Sequence, residues 1–410
     1  MADHSLRTRH RERGTLHGAL LRFAAAIAPA LVFGCSPNGQ ASSFHIDGPP
    51  VGHWEPVSSP GDALGQMAVR GAYTGADWFG WGGSSAQCSA TFCSIGAMFH
   101  PSSGTWQSVS TTGAPSPRDQ HAVVPVPGGL FVWGGLCSTP TFASCGDGAI
   151  YSPSSDSWSP VGPQGAPSPR YSPFVFATQT EVVVWGGAHW SGGGNGTAAW
   201  DGAAYNLATG SWRALDGTGA PSARLGAATV ATGTDMLVWG GGDAAGNPLR
   251  DGAIHHLATN TWELMETAGA PSARWDPVSL WTGSEMLVFG GTGCGGRSSS
   301  GGYSVCNDSG FAYDPAKRRW RAIAAGLAPR SSPIAVWTGS YAFIWGGAGS
   351  CCQGADCRCS DGGLYDPVAD VWRAVVPDGS PIGDGAGYWI GDSVLVISNL
   401  GAPGRYFLPK

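Results

Sequence analysis

Charge is scarce in this chain. Asp, Glu, Lys and Arg make up only 12% of its 410 residues, and lysine occurs only at Lys317 and Lys410. That is about half the usual charged share, and it leaves no concentrated basic surface of the kind that binds nucleic acid. Long helices are disfavoured as well, because 66 Gly and 30 Pro interrupt regular structure throughout. No mature apolar run reaches the roughly 20 residues of a transmembrane helix. A Gly-X-Y period is absent, which removes collagen. There is no Cys-x-x-Cys for redox chemistry and no His-x3-His for a metal. What is abundant is apolar and aromatic surface: 42% of residues are hydrophobic and 19 are Trp. That is enough to offset the entropy of ordering a large domain, and it points to a Gly-rich, Trp-rich, all-β protein built from repeats.

Residues 1–34 read as a signal peptide. Arg7, Arg9, Arg11 and Arg13 precede an apolar stretch from Ala19 to Phe33 that only Arg22 interrupts. The stretch ends in Leu31-Val32-Phe33-Gly34-Cys35, which resembles the lipobox of bacterial lipoproteins. The resemblance implies that Cys35 is lipidated and becomes the mature N-terminus. Ser36 after it favours the outer membrane, with secretion of a cleaved chain as the alternative. Phe33 at the second position before the Cys departs from the usual lipobox. Loss of five Arg against Asp3 and Glu12 takes the net charge from −6 to −9, so the exported part is acidic. Residues 35–50 read as the lipidated Cys and a flexible tether.

Everything from 51 to 410 follows a repeat of about 52 residues. A Trp with an aliphatic residue or Met three positions later recurs at Trp54, Trp106, Trp158, Trp212, Trp262, Trp320 and Trp372, with spacings of 52, 52, 54, 50, 58 and 52. Seven residues before the last six of these lie Phe99, Tyr151, Tyr205, His255, Tyr313 and Tyr365. Apolar runs ending in Gly82-Gly83, Gly134-Gly135, Gly186-Gly187, Gly240-Gly241, Gly290-Gly291 and Gly346-Gly347 keep the same register. These residues resemble the kelch repeat, in which an apolar strand ends in Gly-Gly and is followed by a Tyr and then by a Trp on the next strand.

The resemblance implies a β-propeller of four-stranded antiparallel blades. Strands a to d in each blade would carry, in order, the segment after an Arg such as Arg118, the run into Gly-Gly, the Tyr and the Trp. A single such sheet is apolar on both faces, and radial packing buries both. Gly-Gly is expected where a side chain would clash with the next blade. Seven Trp against six Gly-Gly pairs imply seven blades. One would be split, with strands a to c from 384–410 and strand d from 51–58.

Besides Cys35, ten Cys lie between a Gly-Gly and the following strand c, an even number in each loop: Cys88 and Cys93, Cys137 and Cys145, Cys294 and Cys306, and Cys351, Cys352, Cys357 and Cys359. In an exported chain this argues for disulfides within loops: 88–93, 137–145 and 294–306, and pairing of Cys351/Cys352 with Cys357/Cys359 in nested or crossed form. Four thiolates in the last loop also allow zinc. The reducing environment and the Cys-x2-Cys spacing that favour it are both missing, so no metal and no cofactor is expected.

By propeller geometry these loops share a face with the segments Gly-Ala-Pro-Ser-Pro-Arg118, Gly-Ala-Pro-Ser-Pro-Arg170, Gly-Ala-Pro-Ser-Ala-Arg224, Gly-Ala-Pro-Ser-Ala-Arg274 and Gly-Leu-Ala-Pro-Arg330, with Gln66 and Asp384 in the equivalent place of the other two blades. The five Arg are the candidate ligand-binding residues. In partner-binding kelch propellers, Arg at this point can receive acidic ligands. The competing reading is structural: Asp147, Asp201, Asp251 and Asp361 recur four residues before the strand-c aromatic and can neutralise the Arg internally.

Catalytic residues do not emerge. Gly291-x-Gly293-x-x-Gly296 fits a dinucleotide pattern by chance frequency alone and lacks a βαβ setting. His121 and His255 read as channel or core residues. Catalytic kelch propellers exist, among them copper oxidases and a sialic-acid epimerase, so a carbohydrate-active or epimerase-like enzyme at the channel mouth is the alternative. The expectation is a monomeric, non-catalytic binding or scaffold module of the cell envelope. It would be lipid-anchored and would take a protein or glycan partner but no nucleic acid.

Overall fold

The computed structural model describes residues 46, 48–60, 70–84, 88, 91–138, 142–190, 196–297, 303–306, 310–349, 358–381, 385–398 and 402–409. Among them there is no α-helix, and the strands form seven four-stranded antiparallel sheets with small two- and three-stranded ladders beside them. Numbered along the chain, the inner strands of sheets 1 to 7 are Arg70–Tyr73, Ala122–Val126, Phe174–Ala177, Ala228–Ala231, Val278–Trp281, Ile334–Trp337 and Gly385–Trp389. In sheets 1 to 6 the remaining strands follow in order. Sheet 2, for example, continues with Gly129–Trp133, Gly148–Ser152 and Ser157–Val161. Sheet 7 differs: its second and third strands are Ser393–Ser398 and Gly404–Phe407, and its outer strand is His53–Pro56 from the other end of the chain. His53 lies opposite Phe407, and Pro56 opposite Gly404.

Alternating residues of each strand bury on opposite faces, so the core lies between sheets. Phe79, Trp81 and Met98 of sheet 1 pack with Leu130, Val132 and Trp158 of sheet 2. Phe131 and Trp133 of sheet 2 meet Val182, Val184 and Tyr205 of sheet 3. The same construction recurs between sheets 3 and 4, 4 and 5, 5 and 6, and 6 and 7. Trp78 and Phe99 of sheet 1 pack with Leu395 and Ile397 of sheet 7.

In sheets 2 to 7 the strand-d Trp makes two contacts with the sheet before its own, and Trp106 of sheet 1 makes the second of them. First, the ring meets the aromatic that ends strand b there: Trp158 lies 4.7 Å from Trp81, Trp320 4.6 Å from Trp239, and Trp54 5.1 Å from Trp345, centroid to centroid. Second, the indole N–H donates to a backbone carbonyl. Trp106 reaches Ser58, Trp158 Ser110, Trp212 Gly162, Trp262 Asp216, Trp320 Glu266, Trp372 Ala324 and Trp54 Val376, all at 2.7–2.9 Å. In every case the acceptor is four residues beyond the Trp of the preceding sheet, and Trp54 returns the series to the sheet that carries Trp372.

The Gly-Gly pairs have a steric cause. Both members sit at positive φ, 70° and 101° for Gly134 and Gly135. A Cβ on Gly135 would stand 2.6 Å from the Asp119 carbonyl oxygen, and one on Gly290 would stand 2.3 Å from that of Arg330. Only Gly takes this turn without strain. The turn also brings the second Gly N–H onto the next repeat: Gly83 donates to the Arg118 carbonyl, Gly135 to Arg170, Gly241 to Arg274 and Gly291 to Arg330.

Replacing Trp320 by Phe keeps most of the apolar volume but leaves the Glu266 carbonyl without its donor. We expect a loss of about 1–3 kcal/mol, read as a lower urea midpoint. Trp54→Phe should cost a similar amount if its bond to Val376 is equivalent to the other six.

Candidate functional site

The five predicted Arg occupy equivalent places, at the same end of the inner strands of sheets 2 to 6, but none of their side chains reaches the surface. Each is 0% exposed. Every guanidinium makes the same set of bonds. Nε donates to the carbonyl two residues earlier, as in Arg170 to Ser168 at 2.8 Å. Nη1 donates to the first Gly of its own Gly-Gly pair, 16 residues on, as in Arg170 to Gly186 at 3.0 Å. Four of them also meet the Asp anticipated on the same face: Arg118 with Asp147 at 2.9 Å, Arg170 with Asp201 at 2.7 Å, Arg224 with Asp251 at 3.1 Å and Arg330 with Asp361 at 2.9 Å. Arg274 bonds Ser272 and Gly290 and lies 5.7 Å from the Phe311 ring. Each Arg therefore holds its own turn and the end of strand b, and in four repeats the start of strand c as well. Its backbone carbonyl meanwhile takes a bond from the preceding repeat in the four cases above.

Strand a does not run straight on from the Arg. Arg118–Asp119 pairs with Leu136–Cys137 in a separate ladder, and Arg330–Ser331 pairs with Ala348–Gly349. The break comes two residues after each Arg, where Gln120, Ser172, Gly226, Asp276 and Ser332 take positive φ of 53°, 46°, 58°, 47° and 48°. Four of these are not Gly, so the left-handed conformation is held at a cost of roughly 1–2 kcal/mol each. Neighbours around this series bond to one another: Ser172 N–H donates to the Gln120 carbonyl at 2.7 Å, Ser172 Oγ to Gln120 Oε1 at 3.0 Å, and Asp276 N–H to the Gly226 carbonyl at 2.9 Å. They form a polar arc at the start of the inner strands, and solvent reaches them while the Arg beside them are buried. Sequence reasoning stopped at the Arg. The available signal was the fixed offset of two, but nothing in the identities Gln, Ser, Gly, Asp and Ser marks one backbone conformation.

Cystine loops flank this arc. Cys88–Cys93, Cys137–Cys145 and Cys294–Cys306 are bonded, with Cα atoms 5.5, 5.7 and 5.2 Å apart. Cys359 is disulfide-bonded too. Cys351, Cys352 and Cys357, with Cys35, Gln66 and Asp384, lie outside the described residues. Phe92, Leu136, Tyr171 and Ala188 bury a small apolar cluster under the loops, with Phe142 and Trp190 against it. Cys137, Cys145 and Asp147 are close enough to hold a metal, but the disulfide occupies both sulfurs.

His121 follows Gln120. Its ring is buried against the backbone at Gly82 and Gly135, and neither ring nitrogen has a hydrogen bond of good geometry. Burial holds its pKa well below the usual histidine range, and the positive charges of Arg118 and Arg70 add to the effect. Burial likewise raises the Asp119 carboxyl, which Arg70 partly offsets.

The structure thus sets a repeated β-sheet scaffold under a loop face bearing a polar arc, the arrangement of a repeat-built interaction domain. The model of the KLHDC2/KLHL20/DRC7 Kelch-repeats domain matches residues 175–389, from the inner strand of sheet 3 to that of sheet 7 and just over half of the chain. The chain belongs to the kelch-repeat family, whose domains generally mediate protein binding. Among curated proteins none matches it.

Arg170→Ala leaves Asp201 and the Gly186 carbonyl without their partner, so we expect about 3–5 kcal/mol of destabilisation by urea titration. Unchanged stability would remove the clamp from the account. For His121 the folded pKa lies below the unfolded value of about 6.5. Its stabilisation is therefore present above that pH and is lost as pH falls below it, by at most about 1.4 kcal/mol per pH unit. His121→Phe should flatten this limb of the stability curve.

Proposed function

We propose that the chain is an exported, seven-bladed kelch propeller that binds a protein or glycan partner in the cell envelope through its loop face. Blade seven would be the closing one, assembled from His53–Pro56 and the three strands after residue 384. The seven four-stranded sheets and the seven indole bonds support that count. Residues 1–34 would direct export, Cys35 would carry the lipid, and 35–50 would hold the monomeric propeller off the outer membrane. The paired cysteines support export, since such bonds persist in oxidising compartments.

The observation that carries the binding role is the contrast on the loop face. The Arg residues are withdrawn into the scaffold, while Gln120, Ser172, Gly226, Asp276 and Ser332 stand in a strained, solvent-facing arc framed by cystine loops. Strain repeated at one position, and held in place by the surrounding clamp, marks a surface kept for contact. The clamp also reassigns the five Arg: they would shape the binding surface without touching the ligand, as positioning residues.

Two measurements test this reading. Metabolic labelling with palmitate should mark the wild-type chain and fail on Cys35→Ser; equal labelling overturns the anchor. Hydrogen exchange of the exported chain with its captured envelope partner should protect residues 118–121, 170–173 and 274–277 and the loops beside them. Protection confined to the strand c to d turns at the other end would overturn the loop-face assignment.

A further inference from the structure

Sheets 2, 4 and 6 grip the sheet before them in one further way. The residue two positions before the strand-d Trp takes positive φ, 45° at Asp156, 55° at Asn260 and 53° at Asp370, and its side-chain oxygen accepts two bonds. One comes from the strand-c residue of its own sheet: Tyr151 Oη at 2.7 Å, His255 Nε2 at 3.2 Å and Tyr365 Oη at 2.6 Å. The other comes from a backbone N–H of the preceding sheet: Ser110 at 2.8 Å, Asp216 at 3.2 Å and Ala324 at 2.9 Å. These are the same residues whose carbonyls receive the indole N–H, so each is held by both of its backbone groups.

Sheet 7 has no such turn, because its strands c and d come from opposite ends of the chain. Its strand-c aromatic is the buried Tyr406, and the residue to be held on the preceding sheet is Val376, whose carbonyl takes the Trp54 indole. Both of the missing bonds are made to one backbone atom. The Val51 carbonyl accepts Tyr406 Oη at 2.7 Å and the Val376 N–H at 3.2 Å. The Val51 N–H in turn donates to the Ala374 carbonyl at 2.8 Å, in a parallel bridge of Val51 with Val375. Gly52 passes so close to Tyr406 that a Cβ on it would overlap the hydroxyl. Ile46 is half-buried against the core between sheets 5 and 6, beside Gly363.

We propose that residues 46–52 are a strap that locks strand His53–Pro56 into sheet 7, with the Val51 carbonyl in the place of the turn side chain that a split sheet lacks. The strand needs such a lock. It has four residues, a single ladder partner and only Trp54 buried, and segments with few buried contacts are the first to open. Through Val51 it gains two backbone bonds to sheet 6 and one from a buried hydroxyl of its own sheet. One consequence rests on the anchor reading: the tether shortens to residues 35–45, and a pull from Cys35 meets the strap before it meets the strand.

Hydrogen exchange of the exported chain, read by mass spectrometry, tests the strap. Val51→Pro removes the N–H that the Ala374 carbonyl accepts, and Tyr406→Phe removes the hydroxyl without altering the backbone of the strap. Both should speed exchange over residues 52–57 and 373–378, by about tenfold for Val51→Pro, with sheets 2 to 4 unchanged. Tyr151→Phe deletes the matching hydroxyl of sheet 2, where the turn is continuous, and should leave 52–57 at the wild-type rate. If Val51→Pro does not fold, Tyr406→Phe compared with Tyr151→Phe decides the matter. Unaltered exchange over 52–57 in Tyr406→Phe, or acceleration spread evenly over all the sheets, overturns the strap. Neither result depends on lipid labelling of Cys35, so failure of the strap and failure of the anchor remain distinct.

Discussion

The indole N–H of each outer-strand Trp ties its sheet to the one before, and the rest of the structure depends on this bond. A four-stranded sheet with two apolar faces is not stable by itself. In six of the seven sheets the Trp solves two problems at once: its ring fills the gap beside the aromatic of the preceding strand b, and its polar edge finds a carbonyl of the preceding sheet. Because the acceptor always lies four residues beyond the previous Trp, the spacing between sheets is set by one repeated geometry. The segment around Trp54 then has its place beside Val376, a contact spanning 322 residues of chain.

A second repeated device works at the opposite end of five of the repeats. The buried Arg collects carbonyls from its own turn and from the end of strand b, and in four repeats the side chain of an Asp from the start of strand c. A buried guanidinium is tolerable only when nearly every donor is used, and here the fork meets acceptors on several sides. The low overall charge follows from the same economy: with most strand faces buried, ionised groups are confined to loops and edges, or to pairs such as Arg213–Glu181 and Arg321–Glu285 at partly exposed positions. The left-handed residue stands two positions beyond each clamp, so that the strained arc and the rigid scaffold adjoin in every one of these five repeats.

Much of this was legible from residue order. Gly-Gly, Tyr and Trp in one register defined the repeat, and the steric reason for Gly-Gly holds at atomic distances, since a Cβ on Gly290 would meet the Arg330 carbonyl. The three described disulfides join the cysteines that share a loop, because close sequence spacing already brings their Cα atoms within bonding range. The Arg were legible as a set and as neighbours of Asp, but their burial was not. A Pro-Ser-Pro-Arg segment reads as an exposed turn, and only the return of strand b and of the following Asp encloses the side chain. The arc after the Arg was not legible at all, because Gln, Ser, Gly, Asp and Ser have no common chemistry.

By itself the sequence determined the all-β class, the repeat length, the positions that must be Gly and the loops that carry cystines. Each of these is a local consequence of side-chain size, φ and spacing. Which groups face solvent was decided only by the tertiary structure. Exposure at the loop face depends on how the Gly-Gly turn of one repeat stacks on the Arg turn of the next. That stacking withdrew five charged side chains into the scaffold and left the residues two positions beyond them in reach of solvent.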